Sequence, residues 1–148
     1  IGAHYKITDV IGARFSYNFA DFQHTDSNYW GSDYHRFTLE GTYDVYKAII
    51  GNEFPYRYDN KFEGLVHAGA GVSFSQPNSD KSILDKGLGI QVGLQPKYYI
   101  TNQLSIFLDV SYVVNMQRDR AFDGVTTLDG GSTSYVTGVI GLNYKFGN

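Results

Sequence analysis

Between Leu104 and Asn115 the chain changes character at every residue. Leu104, Ile106, Leu108, Val110, Tyr112 and Val114 fall on one side, and Ser105, Phe107, Asp109, Ser111, Val113 and Asn115 on the other. A period of two is the signature of a β-strand, whose successive side chains point to opposite faces. The same alternation recurs over Ile1–Ile7, Val10–Ala20, Tyr34–Val45, Phe62–Ser75, Gly87–Ile100 and Ser132–Phe146. In these runs Phe15, Leu39, Val92, Leu94, Ile140 and Leu142 share the apolar side, while Arg14, Arg36, Glu40, Lys97 and Asp109 lie on the polar one. No segment has a convincing helical period. The pattern predicts one all-β, antiparallel domain of seven strands over residues 1–148.

The connections predicted between these runs are unequal. "KITDV" (Lys6–Val10) and "YITNQ" (Tyr99–Gln103) read as tight turns of nearly the same sequence, with Thr and Asp or Asn positioned to bond nearby backbone. Asp21–Asp33, Gln76–Lys86 and Met116–Gly131 read as longer polar loops. Short turns at one end and long loops at the other fit an up-and-down transmembrane barrel. Tyr46–Lys61 breaks that rule, being long where a short turn is expected.

Either face of such a sheet could face a core. A soluble lipocalin-type barrel would turn the apolar side chains inward and the charges to water. The lengths favour the reverse, since most runs exceed the roughly 9–11 residues a tilted membrane strand needs. Their ends carry Tyr5, Tyr17, Phe19, Tyr43, Tyr98, Tyr112, Tyr144 and Phe146, like the aromatic girdles that flank an apolar band. Phe15, Leu39, Val92, Leu94, Leu104, Ile106, Leu108, Val110, Ile140 and Leu142 are therefore assigned to lipid. Arg14, Arg36, Glu40, Lys97 and Asp109 are assigned to a polar network in the interior. Arg14 and Glu40 lie at similar distances from one end of neighbouring strands. They are expected to pair, because an isolated charge in a low-dielectric interior is strongly disfavoured.

Composition removes several classes of function. The formal charge of -3 provides no basic field for nucleic acid. Cysteine is absent, so disulfide and thiol chemistry are excluded. No run approaches the roughly 18 apolar residues of a membrane helix. His4, His24, His35 and His67 are spaced unlike metal ligands. "RDRAFDG" (Arg118–Gly124) lacks the regular acidic spacing of a calcium loop. "GAG" (Gly69–Gly71) is read as small residues facing a crowded interior rather than a phosphate loop. His24, Asp26, Asp33 and His35 gather near one loop without an activated nucleophile and read as solvated loop polarity. No catalytic residue, metal site or cofactor is expected.

Three segments carry a family resemblance: "FEGLVHAGAGVSF" (Phe62–Phe74), "GLQPKYYITNQLSIFLDVSYVVNMQRDRAFDG" (Gly93–Gly124) and "YVTGVIGLNYKFG" (Tyr135–Gly147). Together they make the chain resemble the N-terminal transmembrane domain of OmpA-like outer-membrane proteins of the Bacteroidota type. "YDVYKAIIGNEFPYRYDNKFEG" corresponds to that family's long turn. The resemblance implies an eight-stranded barrel whose first strand precedes Ile1. It further implies an integral location in the outer membrane of a Gram-negative cell and a following domain that binds peptidoglycan. The expected function is thus non-enzymatic: a membrane anchor that tethers the outer membrane to peptidoglycan. The alternatives are a subunit of an outer-membrane assembly or export machine, partnered by other outer-membrane proteins, and, less favoured, a small pore.

Overall fold

A computed structural model describes residues 1–24, 27–51, 61–77, 85–120 and 127–146. Seven strands, β1 (Gly2–Lys6), β2 (Ile11–His24), β3 (Ser27–Asp44), β4 (Phe62–Pro77), β5 (Asp85–Tyr99), β6 (Leu104–Arg120) and β7 (Thr127–Tyr144), form one sheet. Each pairs antiparallel with its neighbours in sequence, in the order β1-β2-β3-β4-β5-β6-β7. An odd number of alternating strands leaves the two edges, β1 and β7, running in the same direction and unpaired with each other.

Alternation divides the sheet into two faces of opposite chemistry. Ile106, Leu108, Val110 and Tyr112 are exposed on the outer face, and Asp109 and Ser111, which alternate with them, are buried. Phe15, Leu39, Val92, Leu94, Ile140 and Leu142 are likewise exposed, and Leu104 is half-buried. Tyr34, Leu65 and Val113 are the buried hydrophobic residues among those described, whereas buried polar side chains run along every strand from β3 to β6. The core of this protein is therefore polar.

The sheet curls until its inner face touches itself. Arg14 on β2 reaches Asp109 on β6 at 2.7 Å, and the Tyr34 ring on β3 meets Tyr135 on β7 edge-on at 5.9 Å. Large inner residues fit where the opposite strand supplies glycine. Phe107 is paired with Gly141, where an added Cβ would lie 2.6 Å from the Phe107 ring. Curling stops short of closure. Val139 on β7 is 42% exposed, although its β6 neighbour Asp109 is 8% exposed.

The two short turns share one construction. Thr8 Oγ1 accepts the amides of Val10 and Ile11 at 3.3 and 2.9 Å; Thr101 Oγ1 accepts those of Gln103 and Leu104 at 3.3 and 3.0 Å. In both, the two residues at the turn start also donate to one carbonyl, Ile11 O or Leu104 O. A short helical turn, Lys47–Gly51, follows β3 where no helix was expected. Asp44 Oδ1 accepts the amides of Lys47 at 3.0 Å and Gly64 at 3.3 Å, fixing that turn against β4. The rest of the long connection, residues 52–60, lies outside the described residues.

The predicted polar loops need correction. Pairing continues past Asp21↔Asp33 to Gln23↔Gly31, β4 reaches Pro77 and β6 reaches Arg120. Ladder hydrogen bonds join backbone groups and do not require apolar side chains, so a ribbon extends where hydrophobic alternation has ended. Shifts in register at Gln23/His24 and at Asn115/Arg118/Arg120 mark the outer parts of these ribbons. Of "RDRAFDG", Arg118–Arg120 belong to β6 and residues 121–124 lie outside the described residues, as does Asp26.

Removing one hydroxyl acceptor from a turn is expected to cost about 1 kcal/mol. Thr8→Val and Thr101→Val should each do so, and additively, because the two turns share no partner. Equilibrium denaturation of the two single variants and the double variant measures this.

Candidate functional site

The inner face is the chemically distinctive part of the molecule, and its centre is Arg14. β2 and β3 place Arg14 and Glu40 as direct cross-strand partners. Curling then brings β6 to the same point. Arg14 Nε donates to Glu40 Oε2, and Nη1 donates to Asp109 Oδ2 at 2.7 Å. The Glu40 side chain is fully buried, and those of Arg14 and Asp109 are each 11% exposed. One guanidinium thus serves two carboxylates, using the planar fork of donors that distinguishes Arg from Lys.

His67 on β4 completes the cluster. Its Nδ1 lies 3.1 Å from Glu40 Oε1 and 2.9 Å from Arg14 Nη2. Its Nε2 lies 3.3 Å from Asp109 Oδ2, within ion-pair range but without hydrogen-bond alignment. A neutral ring would accept from Arg14 at Nδ1, whereas a protonated one would donate there to Glu40. The ring has room because Gly93 lies beside it; a Cβ at Gly93 would stand 2.5 Å from the imidazole. Asp109 is held further by the Ser111 hydroxyl and by Gln95 Nε2 at 3.3 Å.

A second cluster forms around Glu63 at the start of β4. Lys97 Nζ donates to Glu63 Oε2 at 3.0 Å, Lys6 Nζ donates to Oε1, and Tyr99 Oη donates to Oε1 at 3.2 Å. Lys97 is buried, while the Lys6 side chain is 47% exposed. His4 Nε2 and Thr42 Oγ1, 2.8 Å apart, lie on the same inner face.

Compared with protein-family models, curated proteins and solved structures, the chain matches none. What can be said of the site therefore rests on its own geometry.

Of the five interior residues expected to form one network, the structure brings together Arg14, Glu40 and Asp109. Lys97 is paired elsewhere, with Glu63. Arg36 has no carboxylate partner among the described residues and bonds Thr38, Asn115 and Tyr34. The reason is reach. Lys97 and Arg36 share the inner face with Arg14 but occupy other register positions, Glu63↔Lys97 and Asn18↔Arg36 against Arg14↔Glu40.

Sequence reasoning missed His67 and Glu63 as members. Both were on the polar side of the Phe62–Ser75 alternation, so parity placed them inward, but no local spacing tied either to its distant partners. Among the described residues no group of three or more His, Asp or Glu could hold a metal ion. His35 pairs outward with Tyr17 Oη at 2.8 Å, and Asp33 occupies a β-ladder position opposite Asp21.

Sharing of Arg14 sets an order of damage. Glu40→Gln leaves Arg14 with Asp109, whereas Arg14→Met leaves two buried carboxylates with His67 as the one group of the cluster able to carry positive charge. Breaking a buried pair costs about 3–5 kcal/mol, so Arg14→Met should fall at or above the top of that range and Glu40→Gln below it. The double variant should lose less than the sum of the two. Equilibrium unfolding of the cycle tests this, and additive losses would contradict a shared cation. Lys6→Met should cost under about 1 kcal/mol, because exposed pairs contribute little.

Proposed function

We propose that this chain is an eight-stranded transmembrane β-barrel domain, seven strands of which are described above, acting as the outer-membrane anchor of a larger cell-envelope protein. The single observation that carries this reading is the inversion of the faces. Exposed Leu, Ile, Val and Phe wrap the outside, and paired charges fill the inside. In water that outer face would be a very large exposed apolar patch, far beyond what monomeric soluble proteins carry. In hydrocarbon it is the favoured surface, and a closed sheet is the β-form that satisfies every backbone group there.

Dimensions support the reading. Outward residues of β6 are apolar or aromatic from Leu104 to Met116. At about 3.3 Å per residue and a tilt of about 45°, that run spans roughly 28 Å, close to the thickness of a bilayer core. Tyr5, Tyr43, Tyr98 and Tyr144 are exposed toward the end bearing the tight turns, where aromatic side chains suit the interface. Among the described residues no helix is long and apolar enough to cross a membrane.

Closure requires one more strand. β1 and β7 run the same way, so a strand running opposite to both would pair antiparallel with each edge. The gap between them opens into a cavity of about 340 Å³ that touches Ile1 and Gly2 on one edge and Val139 and Asn143 on the other. A strand preceding Ile1 in the polypeptide is the proposed source. The resemblance to OmpA-like proteins supplies the rest of the reading, in which a following domain binds peptidoglycan and the barrel holds it to the membrane. The ion pairs across the inner face favour a plugged interior over a pore, and the role is non-enzymatic.

Leu108→Arg places a charge on the outer face near the middle of the span and should weaken membrane insertion by about 2–4 kcal/mol. Probes at Ile106 and Val110 should be quenched by lipid-borne quenchers more strongly than probes at Ser105 and Ser111. The opposite order would reverse the faces and end the membrane reading. A monomer extracted in mild detergent fits an anchor; stable co-purification with other barrels would point to an assembly subunit instead.

A further inference from the structure

The buried side chains of Arg14 and Lys97 each meet a carboxylate, but among the described residues that of Arg36 does not. Arg36 is fully buried on β3. Nε donates to Thr38 Oγ1 at 3.1 Å and Nη1 donates to Asn115 Oδ1 at 2.6 Å, with Tyr34 Oη at 3.5 Å. All three acceptors are neutral, and Nη2 has no hydrogen-bond partner among the described residues. A guanidinium stays charged at any accessible pH. Arg36 is thus a permanent buried cation without a counter-charge among those residues.

Its surroundings are neutral amide and hydroxyl groups, with no carboxylate bonded to it among the described residues. Asn115, also fully buried, spends Oδ1 on Arg36 and on Tyr34 Oη at 3.1 Å, leaving Nδ2 without a partner among the described residues. The hydroxyls of Ser16 and Thr133 have no partner among the described residues either. Register aligns them: Ser16 faces Thr38, Thr38 faces Gly71, Gly71 faces Gly89, Gly89 faces Asn115, and Asn115 faces Thr133. The guanidinium lies over Gly89, where a Cβ would stand 2.8 Å from Nη1 and 2.7 Å from Asn115 Oδ1. The cavity at the open seam is lined by Ser16 of this row, by Asn18, the cross-strand neighbour of Arg36, and by Tyr34, which Arg36 contacts. Water could satisfy the donors, but it would leave the charge uncompensated.

We propose that Arg36 and Asn115 form a binding site for a small monoanion, a halide or a carboxylate, with the Ser16 and Thr133 hydroxyls as further donors. The site is built from the inner face alone and stands whether or not that sheet crosses a membrane. Two sources offer the same chemistry: a free anion, or a carboxylate side chain on a strand that fills the seam.

The test uses the full natural polypeptide. Crystals soaked in bromide should show an anomalous peak within hydrogen-bond range of Arg36 Nη2 and Asn115 Nδ2 if the anion is free. A side-chain carboxylate seated there instead supports the site with a tethered source. Thermal unfolding in detergent micelles, at constant ionic strength, provides the second arm. With a free anion the midpoint should rise several degrees with bromide in the natural protein. It should stay flat in Asn115→Asp, which places a carboxylate beside Arg36 and should melt higher than the natural protein without bromide. With a tethered carboxylate the natural protein is flat and Asn115→Asp melts lower. Ordered water alone at both nitrogens, with a bromide-independent midpoint, would overturn the proposal.

Discussion

Pairing of charge inside a polar core is the constraint on which this structure turns. A sheet that buries Glu40, Asp109, Glu63 and Lys97 cannot rely on hydrophobic burial to choose its curvature. It must bring opposite charges within reach before the inner face is dehydrated, because an uncompensated charge in such a place is far more unfavourable than a poorly packed methyl group. Arg14 meets that demand from β2 by bonding its neighbour Glu40 and, across the interior, Asp109. The contact with Asp109 is possible only when the sheet is rolled, so the ion pair and the curl are one feature seen at two scales.

Volume is the second limit, and glycine answers it. His67 enters the cluster because Gly93 leaves space for its ring, and Phe107 lies inward because Gly141 faces it. The inner face alternates bulky and absent side chains across neighbouring strands, so that the sheet can curl onto itself without clashes. It also separates the charges into groups. Glu63 holds the two lysines near the turn end, Arg14 holds the middle, and Arg36 lies toward the ribbon end among neutral partners. A network so divided stiffens the interior at several levels.

Much of this was legible in the chain. Alternation marked all seven strands, assigned Leu108 outward and Asp109 inward, and put Arg14 level with Glu40, since the side-chain period of a strand is a local property of the backbone. The shared Thr in "KITDV" and "YITNQ" announced two turns of one construction for the same reason. Loop limits were misread because hydrophobic alternation ends while backbone pairing, which needs no apolar side chains, continues to Gln23↔Gly31 and Arg118↔Gly131.

Contacts between distant strands could not be read in advance. Parity put His67, Glu63, Lys97 and Arg36 on the inner face but said nothing about which would meet. That depends on stagger between strands and on how tightly the sheet rolls, quantities set jointly by all seven strands and by the glycines that let them approach. By itself the sequence determined an antiparallel all-β sheet and the chemistry of each face, because period and residue type act within a few residues. Only the tertiary structure decided that Arg14 is shared by two carboxylates, that Lys97 belongs to Glu63, and that Arg36 lacks a counter-charge among the described residues, because curvature chooses partners up to 95 positions apart.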